Sequence, residues 1–197
     1  MHDDGGVQEL PSLDSTAALL LARRTNLRID RERPVDPELI KRLCALATWA
    51  PNHHLTEPWR FAVVTGEARA ELGRQTAAHM ADLGITEEAK LEKARTKFLR
   101  APVMLVVACA SAADASPGTR AEDRDAVAAA TQNLLLAATA AGLWSYWGSG
   151  AVTDAPGVKA MCALSPSDTI VAAVYLGWPG GEVPMPVRHE PIIAWVP

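Results

Sequence analysis

Apolar residues recur at helical spacing in two stretches near the start of the chain. Ala17 to Leu21 lead into Arg23-Arg24, with Asp14 or Ser15 available as the cap. Asp36-Pro37 opens a second helix, because a capping carboxylate precedes a proline already shaped for the first turn. Its stripe of Leu39, Ile40, Leu43, Leu46, Ala47 and Ala50 stops at Pro51. Residues 52–58 read as a loop and Trp59 to Thr65 as a strand closed by Gly66. Helices are expected over 67–83 and 86–99, the second with Glu87–Lys90 and Glu92–Arg95 paired on its outer side. Pro102 to Ala110 is a continuous apolar run, the mark of a central strand covered on both faces.

The second half is plainer. Residues 111–121 read as a mobile Ser/Ala/Pro/Gly loop, and Asp123 to Ala141 as a helix apolar nearly all round and therefore buried. Gly142 ends it; Leu143 to Gly150 form a turn or short strand, Ala155 to Ala163 a short helix, and Ile170 to Leu176 a buried strand. The tail ends in Ile192-Ile193-Ala194-Trp195-Val196, an apolar end that a neighbouring subunit is expected to cover. Residues 1–13 read as an extension and 14–197 as one domain of α/β or α+β type, without repeats.

Composition narrows the function. Hydrophobic residues make up 49% and charged residues 21% of 197, which suits a folded soluble domain. The net charge is −4 with no basic stripe, so neither nucleic acid nor an anionic membrane is an expected partner. Cys44, Cys109 and Cys162 lie far apart within apolar segments, as free thiols in a reducing compartment do. With an acidic start and no run of the ~18–20 apolar residues a span needs, the cytoplasm is the expected location.

Several chemistries fail on spacing. Gly148-Ser149-Gly150 lacks the wider G-x-S-x-G elbow, and no P-loop is present. His53 and His54 are adjacent and their side chains diverge, which argues against zinc. A dinucleotide fingerprint beginning at Gly148 has Thr153 at its third glycine position, and Asp168 precedes its strand instead of following it.

Two features carry chemistry. Arg23-Arg24-Thr25 closes a helix, where two guanidiniums and a hydroxyl can clamp a phosphate or simply complement the helix dipole. The segment from Trp49 through Pro51, Asn52, His53 and Glu57 to Phe61 sets polar and aromatic groups in a proline-stiffened loop. That suits a flat heteroaromatic ligand, or equally a rigid turn with satisfied side chains.

Together these segments resemble the nitroreductase family, in particular its short single-domain members. The family's R-R-S helix end, A-P-[DN]-H helix close and Q-P-W-R-F strand start become Arg23-Arg24-Thr25, Ala50-Pro51-Asn52-His53 and Glu57-Pro58-Trp59-Arg60-Phe61. A later W-x-S-G-x-x-T stands at Trp147 to Thr153, and Leu-Gly-x-Pro at Leu176 to Pro179, so that the likeness spans about residues 15–180. It implies an α+β three-layer sandwich with a mainly antiparallel sheet flanked by helices, in an intertwined homodimer. It further implies FMN as cofactor, NAD(P)H as electron donor, and ping-pong hydride transfer to nitroaromatics, quinones or similar small acceptors. By the same resemblance Arg23, Arg24 and Thr25 bind the flavin phosphate and pyrimidine edge, with Arg188 as a further phosphate ligand. Trp49, Pro51, Asn52, His53 and Glu57 line the ring or ribityl chain, and Trp147, Gly148 and Ser149 approach from the other side. Ala137 to Gly142 falls where related enzymes touch the nicotinamide nucleotide, and Trp144, Tyr146 and Trp178, with residues 67–99 and 111–121, are expected to set substrate choice. Two departures stand out: Thr25 in place of serine keeps the hydroxyl, whereas Glu57 in place of glutamine removes two donors and adds a charge. Alternatives on the same fold are a non-catalytic flavin-binding or redox-sensing protein, and an enzyme of reductive dehalogenation or flavin fragmentation.

Overall fold

The computed structural model of the chain describes residues 10–184 and 186–196, so the expected extension is described only from Leu10 onward. Helix α1 (Leu13–Ala22) is capped by Ser12, whose hydroxyl accepts from the Ser15 N–H at 3.1 Å. The cap is thus neither Asp14 nor Ser15, because the helix starts before both. Helix α2 (Pro37–Ala47) begins as Asp36-Pro37 predicts, with the Asp36 carboxylate accepting from the Glu38 N–H. Strand β1 (Trp59–Thr65), helices α3 (Ala68–Asp82) and α4 (Glu88–Thr96), and strand β2 (Val103–Cys109) follow. The Glu87–Lys90 and Glu92–Arg95 pairs form at 2.8 and 3.1 Å.

Helix α5 (Pro117–Ala140) starts six residues before the expected Asp123, so half of the segment expected to be a mobile loop is helical. Ser116 caps it and Pro117 fills its first turn, while Arg120 ties it to the Ala113 and Ala115 carbonyls. Nor is α5 buried all round: Asp123, Ala126, Val127, Ala130, Thr131, Leu134, Leu135 and Ala138 form one inner stripe, and the other faces are partly open. Strand β3 (Trp144–Gly148), helix α6 (Pro156–Met161) and strand β4 (Thr169–Gly177) complete the chain before the tail.

The four strands run in the order β1-β2-β4-β3, and every pair is antiparallel, which settles the class as α+β. Alternation along β2 sorts its side chains into two cores. Val103, Leu105, Val107 and Cys109 face α2 and α5, while Met104, Val106 and Ala108 join Leu72 of α3 and Val158 of α6. On β4 the alternation breaks once: Val107 pairs with Ala172 but Ala108 with Ile170, which leaves Val171 bulged. Val171 and Ala172 therefore both face the α2/α5 core. Helices cover both faces of the sheet, giving a three-layer sandwich.

Candidate functional site

The backbone after α1 lies along the outer edge of β3. Thr25 bridges Ser145 in parallel, the Asn26 N–H donates to the Ser145 carbonyl at 3.1 Å, and Ile29 bridges Pro179. Gly180 is needed for this approach, since a Cβ there would sit 2.7 Å from the Asp30 nitrogen. The two arginines part at this point, as successive residues at a helix end must. Arg24 turns back, its guanidinium donating to the Leu21 and Arg23 carbonyls. Arg23 instead stands half-buried near Arg188 of the tail. Desolvation, then Arg188, then Arg24 lower the pKa of Arg23. Beside them, Asn26 Nδ2 and Ser145 Oγ are buried without a hydrogen-bond partner among the described residues.

The second predicted segment forms an organised loop. Asn52 Oδ1 accepts from the Glu57 N–H at 2.7 Å and Asn52 Nδ2 donates to Thr56 Oγ1 at 3.0 Å. The loop is fastened to α5 twice, by Thr56 Oγ1 to Asp123 Oδ1 at 2.6 Å and by His53 Nδ1 to Glu122 Oε2 at 2.8 Å. Between them Pro51, Asn52 and His53 face Glu122, Asp125, Ala126 and Ala129 across a cavity of about 290 Å³. Trp49, at the end of α2, is 84% exposed, and Leu55 is 82% exposed.

Within one chain these two segments stay apart. Ser145 lies in register with Leu176, Val103 and Thr65, whereas the loop enters the sheet at Trp59, opposite Cys109 and Thr169. Three strand spacings of about 4.8 Å and six residues at about 3.4 Å each separate the two corners. Trp147 packs partly buried on the α2/α5 side of β3, Gly148 is buried, and Ser149 is exposed just beyond the strand. Gly148 has little room beside it: a Cβ would meet the Ala173 carbonyl at 3.0 Å. Trp144, Tyr146 and Trp178, expected to meet substrate, are engaged in packing. The first two lie against the α3/α6 core, with Tyr146 edge-on to Tyr175, and Trp178 donates to the Pro34 carbonyl at 2.9 Å beneath Arg33.

A further cavity holds none of the residues that the resemblance assigns to the flavin site. It is a groove of about 820 Å³ between α2 and the edge strand β1, walled by Val35, Ile40, Cys44, Phe61 and Val63. Sequence reading also missed Thr56, Glu122 and Asp123, whose tie to the loop spans a separation no local pattern reveals. Among the described residues, no group of three or more His, Cys, Asp or Glu side chains is placed to hold a metal, and no helix is long and apolar enough to cross a membrane.

The nitroreductase family model matches residues 20–178. YdjA of Escherichia coli (strain K12), provisionally named an NAD(P)H nitroreductase, is 30% identical over 161 residues, covering 82% of this chain and 86% of its own. The 5,6-dimethylbenzimidazole synthase of Rhodospirillum rubrum is 33% identical over 187 residues, covering 89% and 88%. Among solved structures, a nitroreductase-like family protein from Bacillus cereus superposes with a TM-score of 0.76 at 28% identity, over 93% of this chain and 95% of its own. A nitroreductase with bound FMN from Bacteroides fragilis superposes with a TM-score of 0.73 over 91% and 97%. At 21% identity that second likeness is one of fold.

Proposed function

Because the chain belongs to the nitroreductase family, we propose that it is an FMN-dependent NAD(P)H oxidoreductase that reduces nitroaromatics, quinones or similar small flat acceptors, with the flavin held between two copies of the chain. One observation carries the proposal: Arg23 and Arg188, far apart in sequence, are brought close enough in space, beside Arg24 and Thr25, for Arg188 to lower the Arg23 pKa beyond the effect of burial. Such a cluster fits a phosphate monoester, whose charge offsets the desolvation that chiefly lowers the Arg23 pKa and the smaller repulsion from Arg188 and Arg24. FMN, when bound, would supply the hydride chemistry between NAD(P)H and the acceptor. The protein's part is to hold and enclose. Arg23 and Arg188 grip the phosphate, Thr25 adds a hydroxyl, and Trp147, Gly148 and Ser149 flank the same side. Pro51, Asn52, His53 and Glu57 of the second copy close the other side, with Trp49 as cover.

The second copy is needed because the half-sites lie at opposite corners of one sheet. A two-fold axis brings each clamp to the other chain's loop and makes two equal sites. The chain also carries what such a pairing uses. Strand β1 has a free edge beside an apolar groove. The tail holds Val187, Ile192, Ile193, Trp195 and Val196 out in the open. Each tail lies in the partner's groove and shields its edge strand. The three free thiols suit a reducing cytoplasm.

The test is the absorption spectrum of the freshly purified protein. A flavin band that NADPH bleaches without oxygen, and that a quinone or nitroaromatic restores, is the expected result; a colourless protein, or a band that NADPH leaves unchanged, overturns the proposal. The Rhodospirillum rubrum relative favours one second reading. The dimethylated ring of its named product is that of a flavin, so the flavin would there be the substrate. Loss of flavin during aerobic turnover with NADPH, in place of its full recovery, selects that reading.

A further inference from the structure

The loop between α2 and β1 is held in an unfavourable shape. His54, Leu55 and Glu57 have φ of 56°, 51° and 46°, the left-handed region that a side chain with a Cβ avoids. Three such residues within four positions relax unless their surroundings over-determine them. The restraint ends in Asp123, which is 3% exposed on the inner stripe of α5 next to Ala126 and Val127. Thr56 is the one hydrogen-bond partner of that carboxylate among the described residues. A buried carboxylate with a single neutral partner is a poor stabiliser compared with an apolar residue in the same place. Its use therefore lies in what it orders.

What it orders is a chain of hydrogen bonds with one possible direction. A carboxylate only accepts, so the Thr56 hydroxyl must spend its proton on Asp123 Oδ1. The hydroxyl oxygen is left to accept from Asn52 Nδ2. With its nitrogen turned to Thr56, the Asn52 amide must present Oδ1 to the Glu57 N–H, at the most crowded turn of the loop. His53, bonded to the neighbouring Glu122, fastens the other arm.

We infer that Asp123, acting through Thr56 and Asn52, is the positioning residue that locks the loop in its flavin-receiving shape, an inference that rests on the FMN reading above. Asn52 serves the cofactor through the loop it braces, its side chain being engaged within it. The lock sets how Pro51, His53 and Glu57 are presented while touching no reacting atom.

Thr56 is the better point to break the chain, because it is exposed and its loss opens no cavity. Two readouts on the full chain decide the matter: the FMN dissociation constant of protein stripped of flavin, and hydrogen exchange of the Glu57 amide. Thr56→Val is expected to weaken FMN binding about tenfold and to speed that exchange, with the melting temperature of the stripped protein moved by no more than about 2 °C. Thr56→Ser, which keeps the hydroxyl, restores both values. Asp123→Asn keeps the volume but can donate as well as accept, so the Asn52 amide is free to turn over; faster Glu57 exchange is expected there too. Unchanged FMN affinity in Thr56→Val, or unchanged exchange in both variants, overturns the lock. A wild-type chain that takes up no FMN overturns the flavin reading by itself, and the exchange comparison then decides whether Asp123 orders the loop.

Discussion

Arg23 is half-buried with Arg188 and Arg24 near enough to lower its pKa further, and in the proposed site its effect belongs to the ligand more than to the fold. A charge-assisted hydrogen bond contributes about 1.5–3 kcal/mol, so Arg23→Ala is expected to weaken FMN binding about 10- to 100-fold in a fluorescence titration. Arg74→Ala is the matching control, since Arg74 sits in an exposed pair with Glu71 and such pairs contribute little. Arg69 would mislead, because its guanidinium holds the Gly66 and Ala101 carbonyls. In the proposed site Glu57→Gln would remove a negative charge from beside the ring, where reduction adds electrons, so the flavin midpoint potential should rise. No rise in a redox titration would place Glu57 away from the ring. The thiols of Cys44 and Cys162 report on the fold itself. Burial raises both from 9.0 to about 11. The unfolded chain then ionises first, so their contribution to stability is complete below about pH 9 and lost as pH rises through about 11. The urea midpoint should fall across that window, and fall less in a Cys44→Ala/Cys162→Ala double variant.

At the scale of elements, the sequence is most legible where one face repeats or where a run is bounded by breakers. β1 matches its reading from Trp59 to Thr65, and β2 and β4 stand out as fully apolar runs between Pro, Gly and Ser. The start of α5 is obscured because Ser116-Pro117-Gly118 has the composition of a loop as well as of a cap. The Val171 bulge and the Thr56–Asp123 tie depend on partners distant in sequence, which periodicity does not encode. The same holds for the site: each half is contiguous and visible, whereas the meeting of Arg23 with Arg188 is visible only through family resemblance. Two substitutions separate fold from site here. Gly73→Ala would set a Cβ 2.0 Å from the Arg95 carbonyl oxygen where α3 meets α4. Overpacking of that kind costs about 1–3 kcal/mol, so the melting temperature should drop several degrees while FMN affinity holds. Ser116→Ala removes the α5 cap at a cost of about 1 kcal/mol, and should fray the turn that carries Arg120.

At the scale of the whole molecule, a single chain leaves apolar surface open. Helix α1 has no fully buried residue, Leu46, Trp49 and Leu55 lie open, and among the described residues none of the apolar tail joins either core. An exposed edge strand beside an apolar groove is a place where another chain adds on. Removing residues 191–197 should therefore yield monomers that keep their secondary structure but retain little FMN. Sharing of the site admits a sharper test. A chain with Arg23→Ala has a damaged clamp and a sound loop; a chain with Asn52→Ala has the reverse. Each variant alone makes a dimer with two weakened sites. In a mixed dimer one site collects both lesions and the other collects neither, provided that clamp and loop come from different chains. Random reassortment makes half the dimers mixed, so about a quarter of all sites should regain wild-type affinity. If both halves of a site came from one chain, every site in the mixture would stay damaged. An FMN titration of the reassorted mixture that shows no high-affinity fraction, with subunit exchange verified by mass, would place the whole site within a single chain.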